Sequence, residues 1–113
     1  AKIMKERFHA QNEKSMWLKF STGGMGGGMT EQQPLNNISR ISFYALAAAL
    51  AGSRSMNLPC FDEAYAIPTD EAIRTSLRIQ QIIAHEIGIP DVVDPLGGSY
   101  YVESLTDQGR IQA

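Results

Sequence analysis

The sequence predicts an α/β fold built on a parallel sheet, and three observations carry that expectation. First, Ser15–Met29, SMWLKFSTGGMGGGM, reads as a strand running into a glycine loop. Met16, Trp17, Leu18 and Phe20 are large and apolar, Lys19 is the only charge among them, and glycines follow at 23, 24, 26, 27 and 28. A short apolar run bounded by turn residues is how a strand buried on both faces reads. Second, a long amphipathic helix follows the loop. Third, the order strand, loop, helix recurs, and alternating β and α at this spacing argues for parallel pairing. Two or three such units cannot close a barrel, which takes about 250 residues. Helix faces would stay half covered, so the chain is expected to be incomplete on its own: part of a larger body, or in need of a partner.

The totals agree with a packed domain. Of 113 residues, 43% are hydrophobic and 19% charged, so a core is expected rather than disorder. A net charge of −2 gives no electrostatic footprint for nucleic acid or an anionic membrane. The single cysteine, Cys60, cannot form an internal disulfide, which favours a reducing, cytoplasmic setting. No apolar run is long enough to span a bilayer, and the N-terminus lacks the apolar segment of a signal peptide. The chain opens on Ala in mid-helix pattern, as a fragment or a processed product would.

Each element has a local cause. Ala1–Ala10 reads as the end of a helix, with Ile3, Met4 and Phe8 on one stripe and basic residues near the C-terminal end, where the helix dipole favours them. Gln11–Lys14 is a polar turn, and residues 15–22 are the first strand. A helix is expected over 35–51: Ile38, Ile41, Ala45, Ala48 and Ala49 share a face, Asn36 or Asn37 can cap the start after Pro34, and Gly52 ends it. Its many alanines imply close approach to a neighbour. Residues 53–58 are a second, short strand ended by Pro59, and 60–67 form a turn or short helix. A second strong helix is expected over 69–87, with Thr69 as N-cap, Asp70 and Glu71 in the first turn, and Gly88 and Pro90 past its end. Asp91–Pro95 is a very short strand or a loop. Ser99 then caps a terminal helix over 99–113.

Few residues could carry chemistry. The glycine loop reads in three ways. It could be a flexible connector, a phosphate loop, or a site loop at the C-terminal end of a parallel strand, where ligands of α/β folds gather. GGMGGGMT has no Gly-Lys-Ser/Thr ending, which weighs against the phosphate loop. As a site loop it would let a broad flat ligand lie on bare main chain. His9 and His85 lie among charged residues without metal-ligand spacing, and no metal site is expected. Cys60 has no basic neighbour to hold a thiolate, so a buried, inert thiol is expected. Glu63 follows a strand and could bind vicinal ribose hydroxyls, or could simply be a carboxylate at a helix start.

Several blocks together resemble one family: MKERFHAQNEKSMWLKF, TEQQPLNNISR, FDEAYAIPTDEAIR and IQQIIAHEIGIPDVVDPLGGSYYVESLTD. They are similar to the adenosylcobalamin-dependent acyl-CoA mutases, typified by methylmalonyl-CoA mutase, over nearly the whole chain. The resemblance implies that residues 1–113 are the C-terminal portion of a (β/α)8 barrel, two to three β/α units. It implies a coenzyme-B12-dependent isomerase that rearranges the carbon skeleton of an acyl-CoA thioester by a radical mechanism. In the family the loop after the first strand here reads roughly Phe-His-x-Gln-Thr-Ser/Ala-Gly-x-Ser-Leu-Thr and touches the corrin, so Gly26 is the expected corrin contact. The second strand usually runs into Ser-Leu-His-Thr-Asn-x-x-Asp-Glu-Ala. Glu63 matches the glutamate that holds the adenosyl ribose, and Ala66 a small residue facing the cofactor.

The pattern also departs from the family. Ser21 and Gly23 stand where it has His and Gln, and Asn57, Leu58 and Pro59 stand where it has His-Thr-Asn. These changes motivate a second reading, a structural or assembly subunit of the same ancestry without the cofactor. The histidine that meets the thioester, the acyl-CoA contacts and the cobalamin-docking segment match nothing here. No catalytic residue is therefore expected in this chain, which alone should be inactive. An acyl-CoA substrate held by the rest of the barrel, a cobalamin-binding domain or subunit, and a dimer or hetero-oligomer are the implied partners. One spatial expectation follows: Gly26 and Glu63 should line a single cavity at the ends of neighbouring strands.

Overall fold

The computed structural model describes residues 1–112, and at Met25 and Gly26 it describes the course of the backbone only. The chain forms two compact units, Ser21–Pro95 and a unit of Ala1–Phe20 with Leu96–Ala113.

In the unit Ser21–Pro95, strand β1 (Ser21–Gly23) pairs in parallel with β2 (Ser55–Asn57), in the register Ser21 with Ser55, Thr22 with Met56 and Gly23 with Asn57. Hydroxyls reinforce the pair: Ser55 Oγ donates to Ser21 Oγ at 2.7 Å, and Thr22 Oγ1 lies 3.1 Å from Ser53 Oγ. Helices α2 (Asn36–Leu50) and α3 (Asp70–His85) pack on each other. Ile41, Ala45, Leu58, Ile79 and Ile83 form the core, with Met29, Ile38, Met56 and Phe61 against it. Ala45 is wholly buried, which is the close approach its small side chain permits.

Several local expectations change. The strand expected over 15–22 is confined to Ser21–Gly23. A ladder extends only as far as its partner, and β2 has three residues. Upstream, Asn12 Oδ1 accepts from the Lys14 N–H at 2.9 Å and turns Glu13–Met16 into a 3-10 turn, leaving Leu18 exposed. The second strand likewise narrows from 53–58 to 55–57, because Ser53 Oγ bonds the Ser55 carbonyl and Pro59 has no N–H for a ladder. Neither Asn36 nor Asn37 caps α2; Leu35 occupies that position. Bonds from the N–H groups of Asn36, Asn37 and Ile38 to the carbonyls of Gln33, Pro34 and Leu35 already satisfy the donors that a side-chain cap would serve.

Helix α3 starts at Asp70 with Thr69 as its cap, Thr69 Oγ1 accepting from the Ala72 N–H at 3.3 Å. It ends at His85, two residues before the expected 87, and Gly88 then takes a left-handed φ of 71°. A 3-10 turn over Ile89–Asp91 follows, and of the two expectations for Asp91–Pro95, a very short strand or a loop, the structure has the loop.

The other unit holds α1 (Lys2–Glu6), the turn at Glu13–Met16 and α4 (Tyr100–Gln112). Ion pairs join its two helices, Lys2 to Asp107 at 3.3 Å and Arg110 to Glu6 at 3.0 Å. Ser99 Oγ accepts from the Val102 N–H at 3.4 Å at the start of α4, whose expected last residue, Ala113, lies outside the described residues.

Candidate functional site

Parallel strands send both of their following loops off the same edge. Here that edge is set by the last rung, Gly23 with Asn57. Beyond it Gly24, Asn57, Leu58, Pro59 and Glu63 line a cavity of about 200 Å³. The glycine loop forms one wall and the acid-bearing loop the other. Gly24 adopts a φ of +70°, which L side chains rarely take, so glycine is required to turn the chain off β1.

Glu63 is solvent-facing but not free to swing. Its Oε1 accepts from the Cys60 N–H at 2.8 Å, and the Cys60 thiol is also hydrogen-bonded to it. Cys60 is buried, and its pKa is pushed up to about 11, first by burial, then by the negative charge of Glu63 and the bond to it, and last by Asp62. The thiol therefore stays protonated, as a donor and not a nucleophile.

Two buried side chains hold these loops: Asp62, which the sequence did not single out, and Asn37, which it offered only as a helix cap. Asp62 is 2% exposed, and its Oδ2 accepts from both the Thr69 N–H and Thr69 Oγ1 at 2.9 Å. That clamps the acid loop to the start of α3. Asn37 is wholly buried, and its Nδ2 donates to the carbonyls of Thr30 at 2.9 Å and Phe61 at 2.8 Å. The sequence carried no local signal for Asp62, whose partner Thr69 lies seven residues away. For Asn37 the sequence signal was ambiguous, since the same residue type is a helix cap.

On the far side of the glycine loop, a Cβ at Gly28 would overlap the Tyr44 hydroxyl and lie 3.3 Å from Tyr44 Cζ, so the loop rests on the α2 phenol. Gly24 and Gly27 would present an added Cβ to open space.

Of the expected contacts, Glu63 lines the cavity. Gly26 lies outside the residues whose surroundings are described, and its neighbour in the loop, Gly24, is the glycine at the cavity. Ala66 is exposed and is not among the lining residues, its N–H bonded to the Asp62 carbonyl at 3.0 Å. Among the described residues no group of three His, Cys, Asp or Glu could hold a metal ion.

The donor set suits a polyol beside a flat apolar body. A fixed carboxylate and the Asn57 amide can accept and donate to hydroxyls, Leu58 and Pro59 are buried apolar walls, and Gly24 and Gly27 face open space. The cavity, at about 200 Å³, has the scale of a sugar and not of a macrocycle, so Glu63 and Asn57 could meet a ribose there. On these residues the cofactor implied by the sequence resemblance fits.

A family profile described as "Methylmalonyl-CoA mutase" matches residues 1–113. The chain is 52% identical over 108 residues to the 2-hydroxyisobutanoyl-CoA mutase large subunit of Aquincola tertiaricarbonis, covering 96% of this chain and 19% of that protein. It is 45% identical over 107 residues to the methylmalonyl-CoA mutase of Rhizobium meliloti (strain 1021), covering 95% of this chain and 15% of that one. Over 101 residues it is 46% identical to the methylmalonyl-CoA mutase of Escherichia coli (strain K12), covering 89% and 14%. The chain thus spans less than a fifth of the length of these relatives.

Proposed function

We propose, from the premise that this chain belongs to the methylmalonyl-CoA mutase family, that it supplies part of the adenosylcobalamin-facing surface of an acyl-CoA mutase. One observation carries the reading: the glycine loop and Glu63 meet at one cavity, at the C-terminal ends of adjacent parallel strands. The two strands would be an arc of a (β/α)8 barrel whose remaining strands pair with their outer edges. The group, when bound, supplies a carbon radical by homolysis of its cobalt–carbon bond.

The residues here bind and orient. Glu63, held by Cys60, accepts hydrogen bonds from vicinal hydroxyls. Leu58 and Pro59, both buried, give the cavity its apolar walls. The acyl group is chosen outside this chain; the relatives' names span methylmalonyl and 2-hydroxyisobutanoyl thioesters. One relative is named as a large subunit, which supports a separate cobalamin-binding partner and a hetero-oligomer. A cytoplasmic setting rests on the lone reduced cysteine, and among the described residues no helix is long and apolar enough to cross a membrane.

The test is a titration of the full-length protein, with any partner subunit, by adenosylcobalamin, followed by the corrin spectrum. Saturable spectral change is expected, and Glu63→Ala should weaken it about tenfold or more; Glu63→Gln, which keeps an acceptor for the Cys60 N–H, should weaken it too while holding the unfolding midpoint. The second reading, a cofactor-free assembly subunit, draws on Asn57, Leu58 and Pro59, which leave the cavity with one carboxylate and one amide. No spectral change at saturating cofactor would favour it.

A further inference from the structure

We infer that Asn37 is a positioning residue that locks the glycine loop to the acid loop, so that the two walls of the cavity move as one. The carboxamide has two donors and two acceptor lone pairs, and all four are used. Nδ2 donates to Thr30 O at 2.9 Å and Phe61 O at 2.8 Å. Oδ1 accepts from the Thr30 N–H at 3.2 Å and from Arg40 Nη1 at 2.8 Å. Thr30 closes the glycine loop, and Phe61 precedes Glu63 by two residues. Arg40, on the next turn of α2, also reaches Thr30 Oγ1 at 3.3 Å, which fixes the orientation of the amide.

Burial gives this joint its force. Asn37 is wholly buried, so neither loop can leave its donor or acceptor for water without opening the protein locally. A helix cap would have tied Asn37 to its own helix. Instead the side chain spends its whole capacity on the two loops and on the arginine that orients it. Among the described bonds it is the side chain that touches both βα loops.

The experiment is amide hydrogen exchange on the full-length protein, with Asn37→Asp beside the wild type. Aspartate keeps both acceptor bonds, to the Thr30 N–H and to Arg40, and deletes both donor bonds. Amides of Glu63, Tyr65 and Ala66, bonded within the acid loop, are expected to exchange about tenfold faster, while those of the α2 and α3 interiors stay within about twofold. Ile83→Val is the control: it loosens the core and should not separate the loop from the helices. The inference is overturned if the loop amides of Asn37→Asp keep the wild-type rate, or accelerate only in step with the helices. If Asn37→Asp does not fold, Arg40→Leu serves, because Arg40 is only partly buried. A smaller acceleration confined to the same amides supports the lock, and none overturns it.

A second readout rests on the proposed function. The apparent affinity for adenosylcobalamin should fall about tenfold in Asn37→Asp and stay unchanged in Ile83→Val. An unchanged affinity in Asn37→Asp overturns the lock's role at the cofactor. A wild type with no spectral response overturns the cofactor reading instead, and the exchange rates still decide the lock.

Discussion

The unit Ser21–Pro95 and the terminal unit of Ala1–Phe20 with Leu96–Ala113 are stabilised by different means. The first has a continuous core and buried polar side chains that bridge its elements. The second has no buried residue in either of its helices; exposed ion pairs join them, and Phe8, Leu18, Tyr101 and Ile111 face outward. Exposed pairs contribute little because water and salt screen them and two long side chains must be held still. Apolar residues count only when a second layer covers them. The comparison teaches that a β/α pair can build a local core from its own helices, whereas an amphipathic helix without a second layer cannot. It also agrees with the proposal that this chain belongs to a larger barrel.

The sharpest way to break the comparison is a cavity in each unit. Ile41→Ala removes a side chain that is 1% exposed and should lower the stability of Ser21–Pro95 by about 2–5 kcal/mol. Ile111→Ala, at 77% exposed, should change the protection of α4 by no more than about 0.5 kcal/mol. Native-state exchange reads both, and equal losses would end the distinction. If Ile111→Ala matters strongly in the full-length protein, the terminal unit is covered there by other chain.

The contact between glycine loop and helix sharpens the picture within Ser21–Pro95. Gly28→Ala should cost about 1–3 kcal/mol because the new methyl meets the Tyr44 hydroxyl. In a Tyr44→Phe background, which deletes that oxygen, the cost should drop by at least about 0.5 kcal/mol. Denaturation of the four proteins of this cycle measures the coupling, and strict additivity would contradict the contact.

The smallest effect is expected at the ion pairs. Arg110→Ala removes the bond to Glu6 and should lower stability by about 0–1 kcal/mol, less still in high salt. A loss of several kcal/mol would show that the terminal helices depend on charge far more than exposure allows.

How much of this was legible in the residues depends on the range of the interaction. Helix α3 was readable from Thr69, Asp70 and Glu71 at one end and Gly88 and Pro90 near the other, because caps and breakers act within a turn. Glu63 was readable as a candidate from its place after a strand. Asp62 and Asn37 were not, since their work is done on partners seven and 24 residues away. The first strand was overextended because Met16–Phe20 has the composition of a strand, and composition does not say where a partner ends.

The amino-acid order by itself determined the helices, the turns at glycine and proline, and the sequence of strand, loop and helix, because each follows from neighbours within a few bonds. Tertiary structure alone decided which three residues of β1 pair, that Asn37 bridges two loops instead of capping a helix, and that Gly24 and Glu63 face one cavity. Hydrogen-bond partners of a buried amide, and the walls of a cavity, are set by segments that meet only after the chain has folded.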